Sequence, residues 1–218
     1  MFRVLRPGRA GKFFLLAVLP LIAAGLVLHV APRVVKDWRG LNVLKHSLKD
    51  QLILHEGINL RPYKCPANKW TIGVGRNLED VGLSKDEQLK LFGTSGLSRK
   101  EVIDGLLARG ISEEEALFLL DNDIKKCITD VKKFPWFESL DPVRQKVIVD
   151  MRFNLGLAGL KGFRKMIGHL EVGAYFNVAE EMKDSKWYWE VGNRSRRLVK
   201  MMATGCDYDP DEQFDLTK

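Results

Sequence analysis

The chain has 218 residues, of which 45% are apolar and 29% charged, enough apolar side chain to bury one core and still carry an appendage. With 19 Gly and 8 Pro it is neither fibrous nor low-complexity, and its 9% aromatic content speaks against wholesale disorder. The net charge of +7 is concentrated at one end: residues 1–40 hold seven cations against the single carboxylate of Asp37, which leaves +1 for the remaining chain. A nucleic-acid-binding domain is therefore not indicated.

From Phe13 to Ala31 no residue is charged, and a helix over that stretch spans about 28 Å, close to one hydrocarbon core. Four cations precede it and three follow, together with Asp37. That bias keeps the N-terminus in the cytoplasm and sends the bulk of the chain across. The expected organisation is a basic segment 1–12, a transmembrane or signal-anchor helix 13–31, a polar linker 32–46 and a domain over 47–218. A cleaved signal peptide is the rival reading, because Ile22-Ala23-Ala24 offers small residues near a cut. Against it, apolar residues run on through Val30, and Pro32 blocks cleavage after Ala31.

Ser47 predicts the cap of a helix running to about Gly57, with Leu48, Leu52, Ile53 and Leu54 on its buried side. A stretch rich in Pro, Lys and Asn follows, and Trp70–Gly75 then reads as a short strand near a turn. Three capping boxes come next, Ser84 with Glu87, Ser98 with Glu101 and Ser112 with Glu115, each opening a helix. Helical periodicity continues over 142–155, 158–171, 175–184 and 192–203. These elements predict an α+β, mostly helical domain, in which a small strand-bearing lobe meets a larger helical lobe across a cleft.

The most informative stretch is 55–75, HEGINLRPYKCPANKWTIGVG, where eight residues separate Glu56 from Cys65 and five separate Cys65 from Thr71. Glutamate, eight residues, Asp or Cys, five residues and threonine resembles the catalytic signature of the phage-type lysozymes, muramidases that cut peptidoglycan. The later segments NDIKKCITDVKKFPWFESLDPVRQKVIVDMRFNLG, GLKGFRKM and SKWYWEVGNRSRRL are similar to that family's helical lobe in order and spacing. The likeness covers about 47–207, and residues 81–110 are longer or more divergent. It implies a two-lobed lysozyme-like fold and hydrolysis of the β-1,4 bond between N-acetylmuramic acid and N-acetylglucosamine. The role it implies is host lysis by a phage or prophage, or wall penetration from a virion; with the segment 13–31 the expectation is an endolysin anchored in the inner membrane with a monomeric catalytic domain on the periplasmic side. A lytic transglycosylase, or a tethered wall-binding protein that kept the fold, are the competing classes.

Glycoside hydrolysis needs an acid on the leaving oxygen and a group on the other face that activates water or attacks carbon. Glu56 suits the acid: it falls near the C-terminal end of its helix, where the dipole opposes a negative charge. The resemblance brings Arg194 onto Glu56, and a cation acts in the opposite sense. Cys65 stands where aspartate is more familiar, and its thiolate can serve as base or nucleophile. Thr71, by resemblance, hydrogen-bonds the attacking water. The resemblance also implies that Asn154 and Phe163 line the substrate cleft, and Trp187 is a candidate to stack on a sugar, although aromatic side chains at such spacing are more often core. Arg76, where many members have histidine, is paired by resemblance with Asp123 as a structural brace. The four histidines show no metal-ligand spacing, so no metal or cofactor is expected. Export would permit a Cys127–Cys206 disulfide, leaving Cys65 for chemistry.

Overall fold

The computed structural model describes residues 45–212 and 214. The predicted segment 13–31 lies outside them, and among the described residues no helix is long and apolar enough to cross a membrane. The first element, α1 (Leu48–Glu56), starts at a capping box in which Ser47 and Asp50 satisfy each other's backbone N–H groups. Its buried face differs from the apolar reading. Leu52 is fully buried and Leu54 is exposed, while the neighbouring inward position belongs to Gln51, also fully buried.

Three antiparallel strands follow in the order β1 (Asn59–Lys64), β2 (Trp70–Gly73) and β3 (Arg76–Asn77). Part of the stretch rich in Pro, Lys and Asn, for which the sequence predicts no element, is β1. Tyr63 pairs with Thr71 and Lys64 with Trp70, and the register shifts between Asn59 and Tyr63. Pro62, which has no N–H for the ladder, lies in that shifted stretch. The β1–β2 connection is tight: Asn68 N–H donates to the Cys65 carbonyl at 2.8 Å, and Asn68 takes the left-handed φ of 57° that asparagine tolerates.

All three predicted capping boxes form. They open α2 (Lys85–Phe92), α3 (Arg99–Arg109) and α4 (Glu113–Val131). Helix α4 ties the two lobes together. Its Ala116 and Leu119 join Ile72, Leu78 and Leu106 in the small-lobe core, Leu120 packs with Leu52 and Val74, and Cys127 and Val131 enter the larger core with Val147, Met151 and Leu198. Burying each such Leu, Ile or Val is worth about 1.5–3 kcal/mol.

The helical lobe then runs through α5 (Pro142–Gly162), α6 (Arg164–Glu171), α7 (Tyr175–Lys183), α8 (Lys186–Glu190) and α9 (Asn193–Thr204). The predicted boundary between 142–155 and 158–171 falls at a kink in α5 at Gly156, which holds a φ of 71°, whereas the predicted helix 158–171 is broken at Phe163, whose ψ of 56° separates α5 from α6. Apolar spacing carried on through Phe163, which is why periodicity read one helix over 158–171. The five-residue α8, held by the Ser185 hydroxyl accepting from Tyr188 N–H, was too short to register. Cys127 is a free thiol 2% exposed in the core, so the Cys127–Cys206 bridge is not made.

Candidate active site

An open cleft of about 440 Å³ lies between the sheet and helices α4 and α5. It is lined by Glu56, Cys65, Thr71, Arg76, Asp123 and Asn154, among others. Six residues singled out in the sequence therefore share one wall-to-wall space. Phe163 and Trp187 do not. They line a separate concavity near α6 and α8, where their rings meet edge to face at 6.1 Å. Trp187 is buried, and its indole N–H donates to Asn154 Oδ1 at 2.8 Å. Its contact with the cleft runs through that asparagine.

Glu56 is the last residue of α1, and its Oε1 accepts from Arg194 Nη1. Arg194 comes from the first turn of α9 and is itself buried. The backbone also crowds Glu56. A Cβ placed on Gly75 would sit 3.2 Å from Glu56 Oε2, and Gly75 holds a φ of 73°. Gly75→Ala is accordingly expected to cost about 1–3 kcal/mol in backbone strain. It should also displace the carboxylate, and kcat falling more than KM rises would be the kinetic sign.

Cys65 directly follows β1 and Thr71 sits opposite Tyr63 on β2, so the hairpin alone brings thiol and hydroxyl together. Backbone hydrogen bonding from Lys69 lowers the Cys65 thiol from its ordinary value; partial burial opposes this, while the Thr71 hydroxyl and Ala67 N–H add to it. Tyr63 moves the other way, pushed up by burial and by the negative charge of Glu56 and Cys65. Cys127, though in the same cleft wall, is pushed up to about 11 by burial and stays a thiol. Glu79 braces the outside of the hairpin. Its carboxyl accepts from Lys64 Nζ at 2.9 Å and Trp70 N–H at 2.8 Å, and it is lowered to about 2, chiefly by the Lys64 hydrogen bond.

Arg76 donates to Asp123 at 2.7 Å, as the pairing in the sequence suggested, but three further acceptors were not foreseen. Its two Nη atoms fork onto Glu87 at 3.0 Å each, and they also donate to the carbonyls of Gly82 and Leu119 at 3.1 Å. Glu87 is the capping-box glutamate of α2, and its carboxylate serves the helix start and the guanidinium together. One cation thus serves two carboxylates. Burial pushes Glu87 up, but the Arg76 fork outweighs it and leaves Glu87 below the usual range; Asp123 ends above it, because burial exceeds the remaining pull of Arg76.

Behind Glu56, the fully buried Asp150 of α5 accepts from Gln51 Nε2 at 2.7 Å, His55 Nδ1 at 2.9 Å and Arg194 Nε at 2.8 Å. The sequence offered one clue to this cluster: Gln51 and His55 lie four apart, on one face of α1 with Glu56 beside them. Among the described residues no group of three His, Cys, Asp or Glu converges to hold a metal ion.

Comparison with known proteins places this arrangement in a lineage. The family described as "Phage lysozyme" matches residues 54–203. "Probable T4-type lysozyme 1" of Dictyostelium discoideum is 26% identical over 163 residues, spanning 73% of this chain and 95% of the relative. "Probable T4-type lysozyme 2" of the same organism is 28% identical over 164 residues, with the same coverage. "Pre-baseplate central spike protein Gp5" of Enterobacteria phage T4 is 24% identical over 173 residues, which make up 73% of this chain but 28% of that protein. With the family match running from the end of α1 to the last turn of α9, the chain belongs to the phage lysozyme family and is a glycoside hydrolase of the lysozyme type.

Proposed function

We propose that the protein is a muramidase that hydrolyses the β-1,4 bond between N-acetylmuramic acid and N-acetylglucosamine, with Glu56 as acid, Cys65 acting on water or carbon, and Thr71 placing the water. The observation that carries this reading is the shared cleft of Glu56, Cys65 and Thr71, with Glu56 held by Arg194. Glu56 gives its proton to the glycosidic oxygen as the C1–O bond breaks. The Cys65 thiolate takes a proton from the water that forms the new C1–O bond, or attacks C1 itself to form a C1–S bond, which water then displaces as the new C1–O bond forms and the thiolate leaves. Asn154 lies in the same wall and offers an amide to the sugar. The proposal extends to delivery: residues 13–31 anchor the chain in the inner membrane, and a monomeric catalytic domain works on the periplasmic side as an endolysin in host lysis.

Mass spectrometry of digested peptidoglycan tests the bond and the chemistry together. Reducing muramic-acid ends are expected. Anhydro-muramic ends would make the protein a lytic transglycosylase and remove Cys65 from the reaction, and absence of cleavage would make it a wall-binding protein. Cys65→Ala is expected to lose about 100-fold or more in kcat, whereas Cys65→Asp should remain active. Because a carboxylate ionises near pH 3.9 and a thiol near 8.5, Cys65→Asp should also carry activity to lower pH than the native chain.

A further inference from the structure

We propose that Asp150 is a positioning residue that balances the charge of Arg194, so that Arg194 orients Glu56 without locking it in the ionised form. This rests on the reading of Glu56 as the acid. The difficulty it resolves is geometric. A guanidinium in direct contact with a lone carboxylate favours the anion, yet a general acid has to carry its proton into the reaction.

Three donors converge on Asp150 from two helices: Gln51 Nε2 and His55 Nδ1 from α1, and Arg194 Nε from α9. An ionised carboxylate only accepts, so His55 presents Nδ1–H toward it. Burial pushes the Asp150 carboxyl up, but the Arg194 charge and the His55 and Gln51 hydrogen bonds outweigh it and keep it ionised. Its side chain is 0% exposed, whereas that of Glu56 is 23% exposed and faces the cleft. Two carboxylates therefore share one cation on unequal terms. Asp150, sealed and triply bonded, holds the negative charge that matches Arg194. Glu56 is the member of the pair that stands open to substrate and solvent.

The surroundings leave this balance intact. Facing Glu56 are Arg194 from α9 and, by their electrostatic effect, Tyr63 and Cys65 from the hairpin. Facing Asp150 are His55, Gln51 and Arg194, and Lys146, one turn earlier on α5, is bonded to Asp207 at 2.5 Å while its charge also acts on Asp150. Arg194 Nη2 is buried and has no partner among the described residues, so no third anion draws on its charge.

The test is the pH dependence of wall cleavage by the full chain, compared across Asp150→Asn, Arg194→Gln and the double variant. Asparagine keeps the shape and an acceptor but not the charge, so Arg194 would act on Glu56 alone. Asp150→Asn is expected to lose about tenfold more activity at pH 8 than at pH 5, and Arg194→Gln to shift the ratio the opposite way. The double variant, with neither charge, should return the pH 8 to pH 5 ratio to within about twofold of the native chain. Contributions from Cys65 and Tyr63 are common to all four proteins and cancel in the comparison. A loss in Asp150→Asn that is equal at both pH values would overturn the proposal and leave Asp150 a structural residue. So would a double variant that keeps the ratio of Asp150→Asn. If the single variant does not fold, the double variant, which buries no unpaired charge, carries the test against Arg194→Gln. Glu56→Gln assayed alongside separates the two levels: full cleavage there would remove the acid assignment itself and this inference with it.

Discussion

Replacing Glu56 with glutamine is expected to lower peptidoglycan cleavage by about 10²–10⁴-fold, the range that a positioned general acid contributes. The substitution leaves the fold alone for identifiable reasons. Glu56 closes α1 without being part of any apolar cluster, its side chain is partly exposed, and glutamine still offers Arg194 Nη1 an oxygen. Affinity for wall fragments should therefore change little while kcat collapses, a split readable in initial rates against a binding isotherm. Unchanged cleavage would sink the catalytic assignment and return Glu56 to the role of a helix-end carboxylate.

The second large effect concerns stability. Arg76→Met is expected to destabilise the domain by about 3–5 kcal/mol, since it strips the cation from buried carboxylates. The five guanidinium N–H groups of Arg76 are used in full, on Asp123, both oxygens of Glu87 and the carbonyls of Gly82 and Leu119. Methionine fills part of the volume and satisfies none of these acceptors. The pH dependence has a definite sign. Glu87 is lowered in the folded protein from its ordinary 4.5, so its contribution is fully present above that value and fades as the pH falls through the folded one. The gap between native and variant urea midpoints should thus narrow in acid. Glu87→Gln should cost less, because the neutral amide keeps one acceptor and Asp123 can then claim Arg76 undivided. A midpoint for Arg76→Met within experimental error of the native chain would refute the brace.

The departures from expectation have physical causes. Leu54 is exposed and Gln51 buried because α1 faces a polar cluster around Asp150 as well as an apolar core, and apolar spacing cannot register a buried amide. Strand β1 escaped notice because Pro62 and charged neighbours depress strand propensity, whereas cross-strand pairing with β2 overrides it. The break at Phe163 was hidden by continuous apolar periodicity on both sides of it.

What the sequence determined by itself was local or fixed by spacing. The Ser–x–x–Asp/Glu boxes close rings of a few residues and need nothing else, so four helix starts could be placed to the residue. The spacing of Glu56, Cys65 and Thr71 likewise lies within one helix-to-hairpin unit, short enough for backbone geometry to bring the three side chains to one cleft. Residue spacing left the partners of the buried charges to the tertiary structure: the family resemblance paired Arg194 with Glu56 and Arg76 with Asp123, while Asp150 and Glu87 emerged only in the fold. Arg194 lies 138 residues from Glu56 and 44 from Asp150, and Arg76 lies 11 from Glu87 and 47 from Asp123. Such pairs leave no periodic trace, because an ion pair is selected by the packing of whole helices: a charge carried into a core must find its counter-ion wherever the fold has placed it.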